Sequence, residues 1–153
     1  MRVLLLSVLL ALGTLHTAYG QPVEVRGGPV QLTTRSAPAG VDPAPAEDTS
    51  SRLWYRLRST QTLKVTVSTS CPAQQFPLSV QARNVERGTS QGAVALTDGM
   101  APTDLVRDIT LPNFFCLFFR CTAEADLRYR SSIQAEDGTG TDTHVVQYTI
   151  LAQ

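Results

Sequence analysis

LKVTVS, residues 63–68, is the stretch that decides how the rest of this chain is read. It sets Leu63, Val65 and Val67 on one side of an extended backbone and Lys64, Thr66 and Ser68 on the other. Successive side chains of a strand point to opposite faces, so this alternation marks a strand with one buried and one wet face. Cys71-Pro72 then ends the run, because proline has no N–H with which to continue a central ladder.

The same period extends in both directions. Upstream, Leu53–Arg58 (LWYRLR) reads as a strand joined to the first by a turn near Ser59-Thr60-Gln61. Downstream, Leu78 to Ala82 alternates, Arg87 to Gly92 is turn chemistry, and Val94 with Leu96 starts a short strand that stops at Asp98-Gly99. Asp104 to Ile109 alternates weakly. Ala123, Ala125, Leu127 and Tyr129 alternate with Glu124, Asp126, Arg128 and Arg130. Asp137 to Gly140 makes another turn, and Val146, Tyr148 and Ile150 form a last strand to Leu151. Near the start, Val30 to Thr34 reads as a first strand, with Val23 and Val25 as a short forerunner before Gly27-Gly28. No helical stripe appears. About seven to nine short strands with regular turn signals predict an all-β fold, a single antiparallel β-sandwich of immunoglobulin-like build.

The chain opens with a different pattern. Arg2 precedes the apolar run Val3–Leu12, and Ala18-Tyr19-Gly20 places small residues before Gln21. A run of ten residues is shorter than the roughly twenty that span a bilayer, so residues 1–20 read as a signal peptide cleaved after Gly20. The expected location is secreted, cell-surface or periplasmic, with no transmembrane segment in the mature chain. Residues 21–153 then form one domain, interrupted by the Pro/Ala/Ser-rich loop 36–51. Thirteen basic residues balance thirteen acidic ones, which leaves no global field for nucleic acid or an anionic membrane surface. Arg52, Arg56 and Arg58 cluster within a strand pattern whose outer face is solvated.

Three cysteines, Cys71, Cys116 and Cys121, imply one disulfide and one thiol left over in an oxidising compartment. Cys116–Cys121 closes a small ring worth about 2 kcal/mol and forms with little search. Cys71 could instead pair with Cys116 or Cys121, and Cys71–Cys116 would close a larger ring worth about 4 kcal/mol. The short ring is the first expectation, with Cys71 reduced or joined to another chain.

Chemistry is sparse. His144 is the single histidine after residue 20, and it starts a regular strand directly after a turn, where an exposed strand-end role suffices. The cysteines do not form a zinc-knuckle pattern, and Asp137 to Asp142 lacks the alternating acids and closing Glu of a calcium loop. Nothing marks Asp104 with Asp108, or Glu124 with Asp126, as paired catalytic carboxylates. The expectation is no enzyme, no metal and no cofactor. Pro112 to Cys121 is the distinctive segment, with Phe114, Phe115, Leu117, Phe118 and Phe119 close together. It is either a strand buried on both sides or an apolar loop tip pinned by a disulfide. Burial is the ordinary outcome, because exposed apolar patches are uncommon. An exposed tip would be a contact for a partner or a membrane.

KVTVS (64–68), SQGAVALT (90–97) and HVVQYTIL (144–151) resemble small exported bacterial sandwich proteins of immunoglobulin-like or pilin-like build. The resemblance covers about two thirds of the chain and implies a fold without naming a ligand. Trp54 precedes every cysteine, which departs from the Cys-Trp-Cys order of antibody domains. The functional expectation is a non-enzymatic structural or interaction protein of the cell exterior, such as a subunit of a surface fibre or envelope assembly. It would act through protein partners or self-assembly. The alternative is a monomeric extracellular binding module for a glycan or protein ligand. A strand carrying Val30 and Leu32, on the linker 36–51, could exchange between chains.

Overall fold

The computed structural model describes residues 22–33, 41–111, 114–119, 121–134, 137 and 140–153. The signal-peptide expectation for residues 1–20, and residues 36–40 of the expected loop, lie outside the described residues. Nine strands are present among the described residues: β1 (Val23–Arg26), β2 (Ala46–Leu57), β3 (Leu63–Ser70), β4 (Leu78–Arg83), β5 (Thr89–Ser90), β6 (Ala93–Leu96), β7 (Thr103–Ile109), β8 (Cys121–Ser131) and β9 (Val145–Ala152). They form a five-stranded sheet in the order β1-β2-β8-β4-β6 and a four-stranded sheet in the order β5-β7-β3-β9. Every neighbouring pair is antiparallel, which makes the molecule a two-sheet β-sandwich.

The inward residues are those the alternation marks. Leu53, Tyr55 and Leu57 of β2 meet Val65 and Val67 of β3, Val80 and Ala82 of β4, Leu105 and Ile109 of β7, and Ala123, Ala125 and Leu127 of β8 in one buried cluster. Burying each leucine, isoleucine or valine among them is worth about 1.5–3 kcal/mol. Tyr55 is sealed in this layer because its hydroxyl donates to the Arg87 carbonyl at 2.6 Å. A buried hydroxyl without a partner would cost about 1–3 kcal/mol.

Three expectations change. First, β2 begins at Ala46, so residues 46–51 of the expected loop are strand. Their polar sequence carries no alternation, yet β8 supplies partners: Ala46 faces Ser131, Glu47 faces Arg130 and Asp48 faces Tyr129. The register shifts between Asp48 and Ser51, where Asp48 Oδ1 accepts the Ser50 N–H at 3.0 Å. That bulge hides the strand from a period-two reading. Second, the N-terminal strand is the forerunner Val23–Arg26, and the segment holding Val30 and Leu32 is not a strand. Gly27, at φ +127°, turns the chain off the sheet, and a Cβ there would lie 3.1 Å from the Ser50 carbonyl oxygen. Val30 and Leu32 instead pack half-buried against the core.

The third change is the phenylalanine segment. Phe114–Leu117 is a single 3-10 turn between β7 and β8, not a strand. Cys121 pairs with Leu57, Leu63 pairs with both Ile109 and Ala152, and Val23 pairs with Tyr55. The phenylalanine turn therefore shares one end of the sandwich with the start of β1 and the end of β9. Cys71, Asp98 and His144 follow β3, follow β6 and precede β9 at the other end.

Candidate functional site

The phenylalanine tip is built by short-range bonds. Phe118 N–H and Phe119 N–H both reach the Phe115 carbonyl, at 3.0 and 2.9 Å, and Cys121 N–H reaches the Phe119 carbonyl at 3.0 Å. The Cys116–Cys121 disulfide clamps this turn, with its Cα atoms 5.1 Å apart, so the expected short ring is the one that forms. Cys116 points inward and is buried. With the turn held by its buried cysteine, Phe115, Phe118 and Phe119 stand out at 67, 71 and 66% exposure. The Phe115 and Phe119 rings lean together, their centroids 6.4 Å apart. Phe114 and Leu117 supply backbone to the same turn. The ordinary expectation of burial is thus overturned for Phe115, Phe118 and Phe119.

A second feature borders the tip. β9 is the edge of its sheet, paired with β3 along one side from Val145 to Ala152. Its sequence, VVQYTILA, has no charge, proline or glycine, the devices that usually protect an open edge. Val145 and Leu151 are exposed along it. The opposite face of the molecule is highly charged: Arg26 lies over the Trp54 ring at 4.6 Å, and Arg52 reaches Asp126 at 3.3 Å. Trp54 is therefore covered by arginine, and the arginine cluster lies on a solvated face, as expected.

The other sequence candidates do not converge. Asp104 pairs with Lys64 at 2.8 Å, and Asp108 holds the Gln153 amide at 3.2 Å. Glu124 and Asp126 are engaged by Arg26 and Arg52. Asp137 accepts the Gln134 N–H at 2.7 Å, while Asp142 accepts the N–H groups of Gln75 and Phe76 at 2.9 and 2.7 Å. Asp137 and Asp142 serve separate backbone donors and do not share a centre with each other.

One cluster was not foreseen from sequence. Cys71, the free cysteine, is buried at 2% exposure, and its sulfur lies with an Asp142 oxygen and a His144 ring nitrogen, all within 4.8 Å of one another. Burial pushes the Cys71 thiol up, and Asp142 and Asp98 push it further, against a hydrogen bond from the Thr143 backbone. His144 is half-buried, not simply exposed, and its Nδ1 lies 3.2 Å from the Thr69 hydroxyl. Burial lowers its pKa, with Asp142 and Asp98 opposing. The signal available in sequence was only that Cys71 ends one strand and His144 begins another; their register appears once β3 and β9 pair.

Fold and site together define an all-β sandwich with an aromatic tip at one end and a thiol–imidazole–carboxylate cluster at the other. No family model, no curated protein and no solved structure matches the chain. Among the described residues no helix is long and apolar enough to cross a membrane. The disulfide is compatible with an extracellular or periplasmic setting.

Proposed function

We propose that this protein is a non-enzymatic, exported interaction protein of immunoglobulin-like build that assembles with further copies of itself outside the cytoplasm. The observation that carries the reading is the tip, where three phenylalanines are held about two-thirds exposed on a disulfide-clamped turn. Water contact on that much aromatic surface is unfavourable, and a clamped turn loses little entropy when it docks. The adjoining β9 edge supports self-assembly, since an uncharged eight-residue edge offers backbone donors and acceptors to an identical strand. The signal-like residues 1–20 and the disulfide support export. The strand-exchange route through Val30 and Leu32 is not part of this proposal, because β1 already occupies the edge beside β2 in its own chain.

The test is light scattering coupled to size-exclusion chromatography on the protein and on a Phe118→Ser/Phe119→Ser variant. Burying two-thirds of a phenylalanine is worth roughly 1.5 kcal/mol, so losing two should weaken association by about 100-fold or more. Assembly of the parent and a monomeric variant are expected. A parent that stays monomeric at high concentration would sink the proposal and leave the monomeric binding module.

A further inference from the structure

We infer that Cys71, Asp142 and His144 form a binding site for a thiophilic divalent cation of the Zn2+ type. The argument begins with register. The β3–β9 ladder ends at the pair Ser70 and Val145, so the next residues outward, Cys71 and His144, face each other across the same two strands. Asp142 stands two residues before His144 and is anchored through Oδ2 by the Gln75 and Phe76 N–H groups. Thr69 Oγ1 lies 3.2 Å from His144 Nδ1 and restricts the imidazole in the way that outer partners orient metal-bound rings.

The donor set is informative. Sulfur, imidazole nitrogen and carboxylate oxygen are the three ligand types that Zn2+ takes, and soft thiolate selects against Ca2+ and Mg2+. The ligand atoms lie within 4.8 Å of one another, whereas tetrahedral coordination wants separations of roughly 3.5 Å. Binding therefore requires the three side chains to draw together by roughly 1 Å. The chain's other two cysteines are bonded to each other, so Cys71 has no disulfide partner within the molecule. Its sulfur is sealed from solvent, which argues against a nucleophile that must reach a substrate. A cation enters instead from the side of the half-exposed His144 and Asp142. Asp98 closes the inner side, its Oδ1 accepting the Cys71 N–H at 2.7 Å and fixing the backbone beneath the thiol.

The experiment titrates Co2+, then Zn2+, into the untagged full-length protein under thiol-protecting conditions and follows the absorption spectrum. A thiolate-to-cobalt charge-transfer band at one ion per chain, bleached by Zn2+, is expected. Cys71→Ala should remove the band, and His144→Gln should weaken binding by at least about tenfold. His144→Gln alters a half-exposed side chain, so it decides the matter even where Cys71→Ala perturbs folding. Absence of the band with folded protein, or Zn2+ affinity unchanged in His144→Gln, overturns the inference.

Discussion

Replacing Cys116 and Cys121 together by alanine tests the clamp at the phenylalanine tip. The two cysteines are five positions apart, and the chain-entropy relation gives so short a ring about 2 kcal/mol. A bridge from Cys71 to Cys116 would have been worth about 4 kcal/mol, so the size of the loss reports which ring the molecule uses. With a urea slope of about 2 kcal/mol/M, the unfolding midpoint should fall by about 1 M while the slope stays constant. Loss should be confined to the tip, because β7 and β8 are otherwise held by their own ladders with β3, β2 and β4. The freed turn should no longer hold Phe115, Phe118 and Phe119 together, and association should weaken in parallel with stability. Urea unfolding followed by intrinsic fluorescence, with chromatography on the same samples, measures both. A midpoint unchanged within error, or a loss near 4 kcal/mol, would refute the account of this ring.

Other outcomes follow from single positions. Gly88 adopts φ +97°, and a Cβ there would sit 2.6 Å from the Arg107 carbonyl oxygen, so Gly88→Ala should cost about 3 kcal/mol by thermal unfolding. Burial pushes the Tyr55 hydroxyl up to about 12, above its ordinary value near 10, so the folded state holds a proton that the unfolded chain releases. Stability from this group is therefore intact below pH 10 and falls by about 3 kcal/mol as pH rises to about 12, which alkaline urea titrations would register and Tyr55→Phe would suppress. Removing residues up to 45 deletes β1 and leaves the twelve-residue β2 as an open edge, so association should increase; unchanged behaviour would show that β1 protects nothing. Intact mass of protein recovered outside the cytoplasm should correspond to a chain starting at Gln21, and a mass retaining Met1 would remove the export reading.

Sequence alone determined the elements in which side-chain chemistry and strand period agree. Leu63, Val65 and Val67, and Ala123 through Tyr129, alternate because one face of each strand is in the core and the other is wet, and that pattern needs no partner to be legible. The two-sheet class follows from counting such segments, whereas the short spacing of Cys116 and Cys121 only favoured a pairing that the structure then settles. Tertiary structure decided what depends on a neighbour. Residues 46–51 become strand only because β8 offers a pairing edge across a bulge, and Val30 with Leu32 lose strand form because Gly27 turns them off the sheet. Phe115, Phe118 and Phe119 are apolar enough to be core, but the turn whose buried Cys116 is tied to Cys121 holds them outward at the end of the sandwich, so geometry prevails over hydrophobicity there. Cys71 and His144 are 73 positions apart in sequence and adjacent only through the β3–β9 register, a long-range pairing that no local pattern encodes.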